Sequence, residues 1–202
     1  MERPFNYTLR PAISYQVAYY QVRPTPYVPR EEREEERTER VAREKASDIP
    51  EARIQSSGSR PTVAGNRAII RRGVAYAPSN APDSVKRAIW AVNAIRNRPY
   101  KWGGGHRSFT DSGYDCSGSV SYALHHAGVL ETPIPSSDLR RFGESGRGRW
   151  VTVYARNGHT FAVIAGLRLD TTDFVRGGDV GPRWHLDGRD TGSFTARHPA
   201  GL

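Results

Sequence analysis

The chain has 202 residues, room for one sizeable domain and an appendage. Hydrophobic residues make up 37% and charged residues 25%, so part of the chain is expected to lie outside any packed core. Residues 61–202 carry +8 of the formal +9 charge; a basic face suits an anionic polymer (nucleic acid, acidic lipid or acidic cell wall), although arginine use driven by genome composition gives the same balance.

At the amino end, residues 1–7 lack the apolar core of a secretory signal, and no later run approaches the ~18 apolar residues of a membrane span. As written, the chain reads as soluble and unexported; a start placed too far downstream, or another export route, would look the same. Residues 1–30 are rich in Tyr, Pro, Arg and Val without a period and read as an irregular arm. Residues 31–45 form a charge run in which Glu36 with Arg40 and Glu39 with Arg43 attract, while Glu31 with Glu35 and Glu32 with Glu36 repel. Only Val41 and Ala42 are apolar there, so a solvated helix or a disordered linker is expected, with 46–61 as further linker.

From about Arg67 the pattern changes. Short apolar runs at 68–70 and 73–76 flank a turn. Asn80 is placed to cap a helix with Pro82 in its first turn, and Val85, Ile89, Val92 and Ile95 define its apolar face. It should stop near Pro99, because the residue before proline avoids helical angles. After a glycine-rich loop, a second helix is expected from about Cys116. It buries Val120, Ala123, Leu124 and Ala127 and ends at Gly128. Residues 131–149 read as a long surface loop. Strands are expected at 149–154, 159–164 and 167–172, the last two joined by an Ala165-Gly166 turn. Residues 173–191 read as loop and 193–197 as a last strand. Helices first and antiparallel strands later give an α+β fold.

Cys116 is the only cysteine, so the chain can make neither an internal disulfide nor a cysteine-rich zinc cluster. It stands after Gly113-Tyr114-Asp115, at the start of the second helix, where unpaired N–H groups favour a thiolate. Attack on a carbonyl also needs a base, a group to orient the base, and donors for the oxyanion. Six histidines are available. His125 and His126 lie more than two turns along the cysteine's own helix, His185 is in a loop, His198 is near the tail, and His106 is in the glycine-rich loop. His159 opens an apolar strand that would anchor its ring, which makes it the leading base; the plain alternative is a structural histidine. If Ile164 pairs with Leu167, His159 pairs with Thr172 and Asp170 is its diagonal neighbour on the same face. A one-residue slip brings Thr171 forward instead, and a surface carboxylate at the turn edge is the bland reading of Asp170. Zinc on His106, Cys116 and His159 matches no standard spacing, so no metal or other cofactor is expected. The basic residues are scattered without a nucleic-acid motif, and Tyr100 and Trp102 read as a cleft rim, so nucleic acid is not an expected partner.

The runs Tyr100-Lys101-Trp102-Gly103-Gly104, Asp115-Cys116-Ser117-Gly118 and the strand-opening His159 together resemble the NlpC-type papain-like cysteine peptidases, bacterial cell-wall hydrolases. The match spans about 76–172, leaves out 1–60, and makes 61–202 the peptidase domain. The resemblance implies a papain-like fold with the catalytic cysteine at the N-terminus of a helix packed on an antiparallel sheet. Cys116 is then the nucleophile, His159 the base, and Asp170 or Thr171 the third polar residue, where many members carry a histidine. Tyr100 matches a tyrosine lining the site; Asp115 and Ser117 match positions that in some members help bind the stem peptide. The implied function is a peptidoglycan hydrolase that cuts an amide of that peptide, often between D-glutamate and a diamino acid, through an acyl-enzyme and outside the cytoplasm. The same residues also suit a secreted amidase toxin, or a catalytically inactive homologue that binds cell wall.

Overall fold

The computed structural model describes residues 60–173, 178–186 and 188–202, with the backbone of 54–55. The expected arm at 1–30 and charged run at 31–45 lie outside the described residues. Part of the expected linker is a strand: β1 (Ile54–Gln55) pairs antiparallel with β2 (Thr62–Val63). β2 lies parallel to β4 (Val74–Pro78), and β4 forms a hairpin with β3 (Ile69–Arg71), which gives a small sheet of order β1-β2-β4-β3.

Helix α1 (Asp83–Ile95) buries Val85, Ile89, Val92 and Ile95, as their spacing requires. Pro82 takes the N-cap position with no side-chain cap. Asn80, expected as the cap, instead donates to Asn66 and accepts from Ser79, because the chain reaches the helix two residues later. On the buried side of α1, Asn93 joins three elements. Its Oδ1 accepts from Ala75 N–H (2.9 Å) and Trp184 Nε1 (3.0 Å), and its Nδ2 donates to the Ala75 carbonyl (2.8 Å). A buried amide is tolerated only when satisfied in this way.

Helix α2 (Cys116–Ala127) is capped by Asp115, whose Oδ1 accepts from Gly118 N–H at 2.8 Å, and ends at Gly128 in the left-handed conformation (φ +81°). It buries Val120, Ala123, Leu124 and Ala127 and packs on α1 and the main sheet. The stretch 131–149 is less open than expected: it contains α3 (Ser136–Leu139) and β5 (Glu144–Ser145), and Leu139 is fully buried.

The main sheet is antiparallel throughout, in the order β5-β10-β6-β7-β8-β9, with β6 (Val151–Arg156), β7 (His159–Ile164), β8 (Leu167–Thr172), β9 (Asp179–Leu186) and β10 (Thr195–His198). Ala165 (φ +50°) and Gly166 (φ +89°) form a two-residue turn with both centres left-handed, and this sets Ile164 opposite Leu167. β9 falls where loop was expected, because Gly181-Pro182 interrupts its pattern. It lies at the end of the sheet, where a proline costs the ladder little, and a shift between Asp170 and Thr172 adjusts its register with β8. Ala162, Ile164, Leu167 and Leu169 face the helices and share one core with them. By alternation, His159, Phe161, Arg168 and Asp170 occupy the opposite face. Among the described residues no helix is long and apolar enough to cross a membrane. The molecule is thus mixed α+β, with helices packed on antiparallel sheets.

Candidate active site

Cys116 is the first residue of α2, where the opening N–H groups of a helix have no acceptor within the helix itself. The cap that starts this helix also ties down the glycine-rich loop. Asp115 Oδ2 accepts from Gly103 N–H (3.0 Å), and Asp115 N–H donates to the Gly104 carbonyl (3.2 Å). The loop lies so close to the helix that a Cβ on Gly118 would overlap the Gly104 carbonyl oxygen. The order Gly-Gly, then Asp-Cys-Ser-Gly, therefore has a steric basis: only glycine lets this loop close on the turn that carries the thiol.

His159 opens β7 and is partly buried, with 12% of its side chain exposed. Its Nε2–H donates to Asp170 Oδ1 at 3.0 Å, and Cys116 lies close enough for its charge to act on the ring. With Nε2 turned to the carboxylate, Nδ1 is the nitrogen left for the thiol. Burial disfavours the charged ring, but the hydrogen bond to Asp170 and the charges of Asp170 and Cys116 outweigh it and raise its pKa from 6.5 to about 9. Asp170 has no exposed side-chain surface. Burial alone would raise its pKa, yet His159, Arg168 and Arg189 together hold it well below the usual carboxylate range. Oδ1 also accepts from Thr172 N–H (3.0 Å), while Oδ2 takes Arg168 Nη1 (2.6 Å) and Arg189 Nη1 (3.2 Å). The register thus brings Asp170 to the imidazole. Thr171 points to the other face of β8, fully buried, and its Oγ1 has no hydrogen-bond partner.

The other expected residues surround the thiol in different ways. Tyr100 lies close enough to feel Cys116 and Asp115; burial first, then the charges of Asp179, Cys116 and Asp115, push its phenol up to about 12, so it remains a donor. Asp115 and Ser117 are buried and already engaged. His106 Nε2 lies 2.9–3.0 Å from both Asp115 oxygens and 2.9 Å from Ser117 Oγ, and Ser117 Oγ donates to Asp115 Oδ1 at 3.2 Å. Their first role is to hold the turn that presents Cys116. Trp102, next to this turn, is 85% exposed and is the exposed large hydrophobic side chain among the described residues.

Of the remaining histidines, His185, expected in a loop, is buried in β9 opposite Arg168, and the other three serve elsewhere. His125 stacks on Phe109 and donates to the Leu130 carbonyl, His126 packs on Tyr122, and His198 engages Gly146 and Glu144. Among the described residues no group of three or more His, Cys, Asp or Glu is placed to hold a metal ion. Sequence reasoning missed Arg168, Arg189 and Phe194. Arg168 carried a signal, an Arg-x-Asp pair on one strand face; Arg189 and Phe194 carried none, because their loop reaches the site only through the fold. No family model matches the chain, and no curated protein matches it.

Proposed function

We propose that the protein is a papain-like cysteine peptidase of the NlpC type that hydrolyses an amide bond in the stem peptide of peptidoglycan. The observation that carries this reading is the placement of Cys116 at a helix N-terminus within electrostatic reach of His159, whose ring hydrogen-bonds a buried, ionised Asp170. A thiol beside a basic imidazole passes its proton to the ring, and the thiolate attacks the substrate carbonyl carbon. The developing oxyanion is received by the N–H groups of the first turn of α2. The C–N bond breaks as His159 returns the proton to the departing amine, leaving an acyl group on Cys116. Water, deprotonated by His159, then hydrolyses the thioester and regenerates the thiol. Tyr100 and the exposed Trp102 form the rim that meets the substrate. The net basic charge of 61–202 favours approach to an anionic wall polymer.

The test is incubation of the purified protein with muropeptides and mass spectrometry of the products. Cleavage at a stem-peptide amide is expected, with a loss of at least ~10³-fold in Cys116→Ala. No cleavage by the native protein, or undiminished cleavage by the variant, would refute the reading.

A further inference from the structure

The His159–Asp170 pair is enclosed by a segment that lies outside both the catalytic helix and the strands of the pair. After β9 the chain runs through 188–194 and returns over the outer face of the sheet. There it places Arg189 on Asp170 Oδ2 (3.2 Å) with 7% of its side chain exposed, and sets the Phe194 ring edge-on to His159 (6.2 Å, 76°) and to Phe161 (5.0 Å, 78°). The Arg189 guanidinium lies over both rings, 5.4 Å from the centroid of Phe161 and 5.3 Å from that of Phe194, while Arg156 covers Phe194 at 4.6 Å. Cation–π contacts of this kind hold a planar guanidinium in one orientation.

We propose that Arg189 is a positioning residue for the nucleophile's base: it occupies Asp170 Oδ2 so that only Oδ1 faces His159, and its positive charge limits how strongly that carboxylate holds the imidazolium. The inference rests on the reading of Cys116 and His159 as nucleophile and base. A buried carboxylate facing an imidazole with no other cation binds its imidazolium too well, and a proton held that firmly is a poor one to give to a leaving amine. Two guanidiniums share the second oxygen, Arg168 from within β8 and Arg189 from the overlying segment. Arg168 is rooted in a strand and fully buried, whereas Arg189 belongs to the segment that also brings Phe194, so orientation of the base and exclusion of water from it are delivered together. The charged or titratable groups on this side include Cys116 of α2, Arg168 and Asp170 of β8, Arg183 and His185 of β9 paired opposite them, Arg156 of β6 and Arg189, with Tyr100 and Asp179 on the thiol side.

The experiment follows the His159 ring by NMR in histidine-labelled full-length protein, assigned by its absence in His159→Gln, and titrates it with pH in the native chain, Arg189→Met and Arg189→Lys. Arg189→Met removes one positive charge two hydrogen bonds from the ring, so its midpoint should rise by about one pH unit. Arg189→Lys keeps the charge and should stay within about 0.3 units of the native value. A merely structural role would lower stability in both variants and leave the midpoint in place. An unmoved midpoint in Arg189→Met, or an equal rise in Arg189→Lys, overturns the proposal. If Arg189→Met does not fold, Arg189→Gln makes the same comparison with a neutral donor to Oδ2. Because the titration needs no substrate, failure of muropeptide cleavage and failure of this inference give different results.

Discussion

Replacing Asp170 with asparagine tests the core of the site, because the carboxylate serves the imidazole and two guanidiniums at once. The rise of His159 from 6.5 to about 9 corresponds to about 3 kcal/mol in favour of the imidazolium, shared between Asp170 and Cys116 against the opposing effect of burial. Asparagine removes the larger of the two favourable partners and leaves the burial. The His159 midpoint should then fall to within about one unit of 6.5, or below it. Arg168 and Arg189 lose their ion pairs with Asp170 in the same step, and breaking a buried ion pair costs ~3–5 kcal/mol. The pH dependence has a definite sign. A raised histidine stabilises fully below its unfolded value of about 6.5, and that stabilisation is lost as pH rises through about 9. A depressed carboxylate stabilises above its unfolded value of about 3.9, and that stabilisation is lost as pH falls through its folded value. The stability gap between the native chain and Asp170→Asn should therefore be widest between about pH 4 and 6.5 and narrow towards pH 10. Urea unfolding followed by tryptophan fluorescence at pH 5, 7 and 9.5 measures the gap, and NMR measures the midpoint. A gap independent of pH, or a His159 midpoint still near 9 in Asp170→Asn, would refute the reasoning.

Other substitutions probe neighbouring links. Thr171→Val should leave cleavage within about twofold and stability within about 1 kcal/mol, since its buried hydroxyl has no partner to lose; a large loss of activity would return Thr171 to the catalytic set. Gly118→Ala drives a Cβ into the Gly104 carbonyl and should cost ~1–3 kcal/mol in chemical unfolding while slowing alkylation of Cys116 by iodoacetamide; native behaviour in both assays would contradict the close approach of loop and helix. Asp115→Ala removes the N-cap of α2 and should cost ~1–2 kcal/mol with loss of activity, read by thermal unfolding and cleavage rate. Cleavage by the native protein should decline above about pH 9, where His159 loses the proton it gives to the leaving amine; a rate still rising through pH 10 would exclude that role.

Much of the site could be read along the chain because its parts are local. Gly113 to Gly118, followed by apolar residues at helical spacing, sets Cys116 at a helix start, and the structure has α2 begin there. The two-residue turn at Ala165-Gly166 fixes the β7–β8 register by backbone geometry, so Asp170, a diagonal neighbour eleven residues on, was accessible from simple pairing. Where the reading departed from the structure, the deciding term was again physical. Gly181-Pro182 hid β9, whose strand character comes from pairing with β8 rather than from its own residues. Asn80 looked like a cap but found Asn66 across the chain.

Sequence alone thus determined the helix that presents the thiol and the hairpin that joins His159 to Asp170, because each depends on residues within about a dozen positions. Only the tertiary structure decided that the start of α2 meets the start of β7, forty-three residues later. Only it placed Arg189 and Phe194 on the pair and gave Asp115 and Ser117 to the turn beneath the cysteine. Those contacts come from packing helices on one face of a sheet and folding a loop over the other, and no local pattern encodes where a distant segment will lie.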